Sequence, residues 1–514
     1  MNENEYKSIC NACDQVLLSS EAKLETIAIP WLHIIREHPV FINNYTKLLQ
    51  PKKKRFSLIS QISYIRKSLS NSIKHFINVI LSKQRFSCSF ISNDKPIDVL
   101  FISHLLNASQ ANQEIDFYFG DCANEVLAHG KLVTIALINH TSSKNTIINN
   151  EKVGLIPRII FSNSLCIKDE FNLWLRLIKE SLRLNRCAKF EKSNLVKMVY
   201  RRAASEALSH GSFGALRMSI QISELVNKIK PKTIIVTYEG HAWERIVFSS
   251  ARSANPNIQC IAYQHAMLFP LQHAIQRNLS SSYNPNHILT SGLHAKKRLK
   301  VAECLDGIPI SVLGKNRITK QGASCKDKLN VKGNNSSPTI LVLPEGIPCE
   351  CHILFDFALA FSNSHPKVNF IWRLHPVINY DDLTKENRKL SRLPDNVVLS
   401  DMSLNEDISS SDFALYRGST SIIDAARSGL IPIYLKSDES MTIDPLEGLC
   451  NNEHKIKNII DLENLMLLYE ELASDEKDKY IKEIIEYCED IFVPLDCNEL
   501  IKILRDFQIM GKSV

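Results

Sequence analysis

The sequence predicts an α/β protein built of two doubly wound domains facing a cleft, preceded by a helical extension. Three observations carry that expectation. Short β-branched runs alternate with helical stretches from Ile97 onward, the pattern of parallel sheets covered by helices. A polar stretch rich in Gly, Ser, Asn and Lys interrupts the alternation at 315–338, after which it resumes. The chain before Ile97 shows a helical period instead. The expected divisions are a basic helical extension at 1–95, a first Rossmann-like domain at 96–315, a linker at 316–338, a second Rossmann-like domain at 339–450 and closing helices at 451–514.

The extension is distinguished by charge. The chain has 514 residues and a net charge of +7, yet the stretch His38–Asn93 holds ten Lys or Arg and no Asp or Glu. That stretch alone is +10, so the remainder sums to −3. Within it, 50–86 opens on Lys52, Lys53, Lys54 and Arg55, and then Leu58, Ile62, Ile65, Leu69, Ile73, Phe76 and Ile80 recur at helical steps. Two readings stand side by side: a basic amphipathic helix lying on an anionic membrane surface, or a helix docking its stripe on the following domain. A nucleic-acid arm fits less well, because aromatic and Gly interleaving is sparse, and no nucleic-acid partner is expected. Upstream, 29–41 reads as a short helix with Pro30 in its first turn.

Composition sets further bounds. At 44% hydrophobic and 23% charged residues the chain can bury large cores. No apolar run approaches the ~20 residues of a membrane span, and the polar, acidic opening "MNENEYKSICNACDQ" is unlike a secretory signal. The 14 scattered cysteines suit free thiols in a reducing cytoplasm. Cys10/Cys13 and Cys349/Cys351 are isolated pairs without a second half at zinc-finger spacing, so no metal site is expected.

In the first α/β half the strand runs are 97–105, 132–140, 158–165, 233–240, 258–266, 287–292 and 310–314, with a long helical insertion at about 168–230. In the second they are 339–346, 368–376, 396–401, 413–418 and 431–435, separated by helical stretches such as 351–363 and 420–428. The last stretch, about 60 residues, reads as helical and is placed to pack back across both halves. No GxGxxG or GxxxxGK[ST] signals a dinucleotide or P-loop site. Ligands of such sheets bind outside the carboxyl ends of the strands, so the strand ends are where chemistry is sought.

Three ends stand out. The run "TYEGHAWERI" leaves its strand through Tyr238, Glu239, Gly240 and His241. Gly240 permits a sharp turn, and Glu239 would project into the cleft as a general base or nucleophile, or else cap the following helix. The run "FIWRLHPVI" carries Arg373 and His375 to a strand end, with Pro376 fixing the exit of the chain. The run "YRGSTSIIDAARSGL" places Arg417 and Gly418 before a helix that opens on Ser419, Thr420 and Ser421, where free N–H groups and hydroxyls suit a phosphate; a plain N-cap is the alternative. His265 in "YQHA" and Asp121 in "DFYFGDCANEV" are further cleft candidates, His265 for proton transfer or acceptor binding or as a backbone-bonded structural histidine.

With these residues in place, the chain resembles bacterial GT-B glycosyltransferases of surface polysaccharides. Within that class it looks most like enzymes using CMP-activated 2-keto-3-deoxy acids, the Kdo transferases of capsule and O-antigen and the bacterial sialyl- and polysialyltransferases. The order is an acidic-acidic-Gly motif, an HP motif and a Ser/Thr-rich helix start, here Tyr238-Glu239-Gly240, His375-Pro376 and Ser419-Thr420-Ser421, over roughly 97–440. Tyr238 replaces the first acidic residue, which leaves Glu239 to carry the carboxylate. "PEG" at 344–346 is a rival match, with Glu345 and Gly346 suited to the nucleotide side.

The resemblance implies a first domain that binds acceptor and a second that binds a CMP-sugar donor. It implies transfer of Kdo or a related nonulosonate to a glycan or lipid-linked glycan of capsule, O-antigen or lipopolysaccharide. The CMP-sugar is a substrate, and neither a cofactor nor a metal is implied. The expected location is cytoplasmic, peripheral at the inner face of the cytoplasmic membrane through 50–86. Inversion would use Glu239 as base, while retention would use Glu239 or Asp121 in a covalent adduct. A CDP-glycerol-type phosphotransferase and a non-catalytic GT-B-like scaffold are the competing readings.

Overall fold

The computed structural model describes residues 2–33, 70, 73, 76, 77, 79, 80, 96–141, 156–316, 337–437 and 441–510. Most of the basic segment 50–86, the end of the expected helix at 29–41 and most of the 316–338 stretch lie outside the described residues. Pro30 opens a short 3₁₀ turn, Pro30–Leu32.

The chain begins with helix α1 (Glu3–Leu17) and the single turn α2 (Leu24–Ile27). The first sheet follows with strands β1 (Val99–Leu105), β2 (Val133–Asn139), β3 (Arg158–Phe161), β4 (Thr233–Thr237), β5 (Gln259–Gln264), β6 (His287–Thr290) and β7 (Ile310–Val312). Helix α3 (Cys122–Ala128) joins β1 to β2. The long insertion between β3 and β4 comprises α4 (Ile167–Phe190), α5 (Asn194–Glu206) and α6 (His210–Ile229). Helix α7 (Ala242–Ala254) leads from β4 to β5 and α8 (Leu293–Lys300) from β6 to β7.

All neighbouring strands pair in parallel, in the order β3-β2-β1-β4-β5-β6-β7. Helices cover both faces of this sheet, so β4 and β6 are buried along their whole lengths, as their near-continuous apolar sequences demand.

The second sheet has the same plan. Strands β8 (Thr339–Leu343), β9 (Asn369–Trp372), β10 (Val397–Leu399), β11 (Phe413–Tyr416), β12 (Ile431–Leu435) and β13 (Lys455–Ile456) run parallel in the order β10-β9-β8-β11-β12-β13. Between them lie α9 (Pro348–Ser364), α10 (Tyr380–Glu386), α11 (Leu404–Ser409) and α12 (Ser421–Arg427). Two Rossmann-like sheets of seven and six strands with a helical N-terminus make this a GT-B-type architecture.

Three helices close the chain: α13 (Ile459–Glu471), α14 (Ser474–Ile491) and α15 (Cys497–Met510). Ile484, Cys488 and Ile491 of α14 join the second domain's core. The segment after α14 then crosses over. Val493 N–H donates to Ser291 O, Lys315 N–H to Val493 O and Asp496 N–H to Leu313 O. Leu500, Ile501, Ile503 and Leu504 of α15 end in the first domain's core beside Phe101 and Phe119. The closing helices therefore tie the two sheets together through buried apolar surface.

Candidate functional site

In each sheet the strand order reverses beside the first strand, between β1 and β4 and between β8 and β11. At such a point the connections leave in opposite directions and open a crevice at the carboxyl edge. Most of the candidate residues follow strands that end near these two crevices.

The first is built on the end of β4. Tyr238 N–H donates to Tyr263 O, which continues the ladder one residue past the strand and turns the Tyr238 ring into the core. Tyr238 is fully buried and lies under the Arg245 guanidinium at 5.1 Å, so this position faces inward. The next residue, Glu239, faces the opening. Gly240 has φ +86°, and any side chain there would collide with the Ala274 carbonyl, so glycine is required for both reasons.

The 239–241 turn is held by Glu244 of α7. Its carboxylate accepts from the backbone N–H groups of Glu239 at 3.0 Å, Gly240 at 2.7 Å and His241 at 2.8 Å. Burial pushes the Glu244 carboxyl up to about 7, against the pull of these donors toward the charged form. The helix-capping role open to Glu239 in the sequence thus belongs to Glu244. Glu239 itself is a quarter exposed, with His241 Nε2 3.1 Å from its Oε2.

Around Glu239 gathers a ring of histidines and aromatics. His104 on β1 reaches His140 Nε2 at 2.8 Å through Nδ1 and Thr237 Oγ1 at 2.9 Å through Nε2. Its ring meets Tyr118 and Trp243 edge-on. Burial lowers His104 to about 3, so its imidazole is neutral at physiological pH. His265, just past β5, packs edge-on against Tyr118 at 4.7 Å. Burial also lowers His265, while the nearby Glu239 charge opposes that shift. Tyr118 is pushed up to about 12 by burial and, next, by the same carboxylate.

The structure therefore brings Glu239 and His265 together but not Asp121. Asp121 is exposed before α3, its Oδ1 accepting from Asn124 Nδ2, and among the described residues no recorded interaction joins it to this cluster. His104 and His140 were not singled out in the sequence. Each ends an apolar strand run, the signal that exposed His375.

The second crevice lies where β8, β9 and β11 end. Glu345 and Gly346 follow β8, His375 follows β9, and Gly418 follows β11. A side chain at Gly346 would sit 2.7 Å from His375 Nδ1, and one at Gly418 would sit 2.7 Å from Glu345 Oε2. The two glycines thus create the room in which Glu345 and His375 converge, and the φ of +76° at Gly418 excludes most other residues. Val377 N–H faces His375 Nδ1 at 3.4 Å, which leaves the proton on Nε2 as a donor. His375 is partly buried and lowered for that reason, and Pro376 is exposed.

Thr420 occupies the N-cap position of α12 without a side-chain capping bond. Ser419 is buried, Thr420 exposed and Ser421 half-buried.

The two arginines expected at the donor phosphate each hold a carboxylate of their own domain. Arg373 donates to Asp407 Oδ2 and Met402 O, both at 2.7 Å, and thereby ties β9 to α11. Arg417 is buried, paired with Glu350 of α9 and donating to Leu435 O at 2.9 Å. A guanidinium buried at 1% exposure needs such partners, because an unpaired charge there is far costlier than a paired one.

Lys315, which the sequence placed at the edge of the linker, lies near groups of both domains. Its Nζ lies 3.7 Å from the centroid of the Phe492 ring in the crossing segment. It acts electrostatically on His265 of the first domain and on Asp424 of α12 in the second. Met267 and Phe269, in the loop after β5, pack with the second domain's core. The two crevices thus belong to one interdomain region. Among the described residues, no three His, Cys, Asp or Glu side chains are grouped to hold a metal ion.

Comparison with protein-family models and with curated proteins gives no match. Among solved structures, the glycosyltransferase of kitacinnamycin aligns at 10% identity over 82% of this chain and 99% of its own, with a TM-score of 0.42. The spinosyn rhamnosyltransferase SpnG aligns at 11% identity over 80% of this chain and 100% of its own, TM-score 0.40. The UDP-N-acetylglucosamine 2-epimerase of Rickettsia bellii aligns at 10% identity over 81% and 99%, TM-score 0.44. At such distances nothing about donor or reaction transfers to this chain.

Proposed function

We propose that the protein is a glycosyltransferase that moves a 2-keto-3-deoxy sugar acid, Kdo or a related nonulosonate, from a CMP donor to a growing surface glycan. The observation that carries this reading is the placement of a semi-exposed carboxylate, Glu239, at one switch point and a proton-bearing histidine, His375, at the other. In this reading the first crevice holds the acceptor. Glu239, hydrogen-bonded to His241, takes the proton of the attacking hydroxyl, and the neutral His265 and His104 line the acceptor pocket without competing for it.

The donor lies in the second crevice. As the anomeric carbon–oxygen bond breaks, its electron pair goes to the CMP phosphate, where His375 Nε2–H and the hydroxyls of Ser419, Thr420 and Ser421 stabilise the charge. Lys315 meets the sugar carboxylate. In this reading Glu239 acts as base and the configuration inverts, with retention through a Glu239 adduct as the alternative; Asp121 lies outside the cluster and takes no part.

The test is a panel of nucleotides and nucleotide sugars. CMP and CMP-Kdo are expected to raise the thermal midpoint, and CMP-Kdo to be turned over with release of CMP. Stabilisation by UDP- or GDP-sugars alone defeats the donor assignment, and CMP release from CDP-glycerol instead supports the phosphotransferase.

A further inference from the structure

Helix α4 carries a face that the active-site reading does not use. Inward, Leu173, Leu177, Leu184 and Ala188 are buried. Its three carboxylates lie off the outer face, and a fourth follows the helix. Glu170 pairs with the buried Arg217, Glu180 with Arg183, Asp169 accepts from Cys166, and Glu191 accepts from Ser193 N–H just past the helix end.

At about 100° per residue the opposite sector, roughly 140° wide, presents Ile167, Phe171, Leu182 and Phe190, all exposed, Leu182 by 65% and Phe190 by 80%. The same sector holds Lys168, Lys179, Arg186 and Lys189, also exposed. These four cations have no ion-pair partner among the described residues, and the sector contains no Asp or Glu.

A second, sequence-distant piece meets this face. Phe76 packs edge-on against Trp174 of α4 at 5.9 Å and tilted against Phe171 at 6.4 Å. Ile73, Ile77 and Ile80 around it are helical and exposed. They belong to the His38–Asn93 stretch, which has ten cations and no carboxylate. Exposed aliphatic and aromatic side chains interleaved with unopposed cations along one face are the pattern of helices that lie in a lipid interface.

We propose that the outer face of α4, together with the helical residues around Phe76, docks on an anionic phospholipid surface. Ile, Leu and Phe enter the acyl boundary while Lys179, Arg186 and Lys189 meet phosphate. The charge argues for lipid over a second copy of the chain, because two such faces would bring cation against cation. The apolar content argues against nucleic acid, which would leave Leu182 and Phe190 in water. This assignment stands independently of the donor chemistry.

Co-sedimentation of the full chain with vesicles tests it. Binding is expected to phosphatidylcholine vesicles containing phosphatidylglycerol, not to phosphatidylcholine alone, and to fall as salt is raised. Each surface cation is worth about fivefold in partitioning, so the triple change Lys179→Glu, Arg186→Glu, Lys189→Glu is expected to lower it ~100-fold or more. The pair Leu182→Ser, Phe190→Ser is expected to lower it about tenfold or more, with unchanged circular dichroism and thermal midpoint in both variants. Equal binding by wild type and triple variant overturns the proposal, as does failure of the wild type to bind the anionic vesicles. A wild-type dimer that the Leu182/Phe190 variant dissociates overturns it too. Loss of binding on neutralising Lys52–Arg55 while the α4 variants bind normally removes α4 from the contact.

Discussion

The two switch-point crevices share a topology and differ in chemistry. At β1/β4 the strand ends carry a semi-exposed carboxylate amid buried imidazoles and aromatic rings, with the loop held by the Glu244 carboxylate. At β8/β11 the ends carry two glycines around one histidine and one glutamate, and both nearby arginines are bound to carboxylates of their own domain. The first arrangement is dense and pre-formed. The second is backed by the buried Arg417–Glu350 pair and the partly exposed Arg373–Asp407 pair. One fold thus supplies two unlike half-sites, because the backbone edge is common and only the residues at strand ends vary.

The comparison breaks most sharply at Glu239. In Glu239→Gln turnover of a CMP-sugar is expected to fall ~10²–10⁴-fold, with the thermal midpoint unchanged because the side chain is partly exposed. Retained turnover, or glycan production in cells that persists in this variant, returns the protein to the scaffold reading.

The second domain breaks differently. Arg417→Met leaves Glu350 buried without its counter-charge and is expected to cost about 3–5 kcal/mol in urea unfolding, while Arg417→Met with Glu350→Met recovers most of that loss. A single variant as stable as wild type refutes the supporting role given to the pair.

His375→Ala removes a donor to a charged group and is expected to lower kcat/KM for the CMP-sugar about 10–100-fold at unchanged stability. Gly346→Ala, which crowds the His375 ring, acts in the same direction and more weakly. If either variant only lowers the unfolding midpoint, His375 is a packing residue.

A further effect, confined to acid conditions, is on stability. The folded pKa of His104 is depressed to about 3 from an ordinary 6.5. Below 6.5 the unfolded chain binds the proton and the folded chain does not, so stability is full above 6.5 and is lost as pH falls toward 3. His104→Asn is expected to flatten the stability–pH curve between those values relative to wild type. Parallel curves would mean that His104 is not held neutral.

Much of this was legible from pattern. Among the described residues, twelve of the thirteen strands coincide with β-branched runs, because a parallel strand covered on both faces must be apolar along its length. The two-residue β13 is too short to show a period. Glu239, Gly240, Glu345, Gly346, His375 and Gly418 stood out because a polar or glycine residue at the end of an apolar run is conspicuous. His104 and His140 carried the same mark, whereas Lys315 looked like any linker lysine. The carboxylate partners of Arg373 and Arg417 were not legible, since they lie 34 and 67 residues away.

By itself, then, the sequence determined the two sheets, their helical covering and the strand ends at which polar residues stand, because burial and backbone pairing act through local periodicity. Only the tertiary structure decided which of those residues face a cleft, which pair inside a domain and which meet across the interface. Those outcomes depend on the Coulomb and steric environment made by distant segments: Asp407 and Glu350 claim the arginines, Phe492 holds Lys315, and Glu244 releases Glu239 from capping a helix.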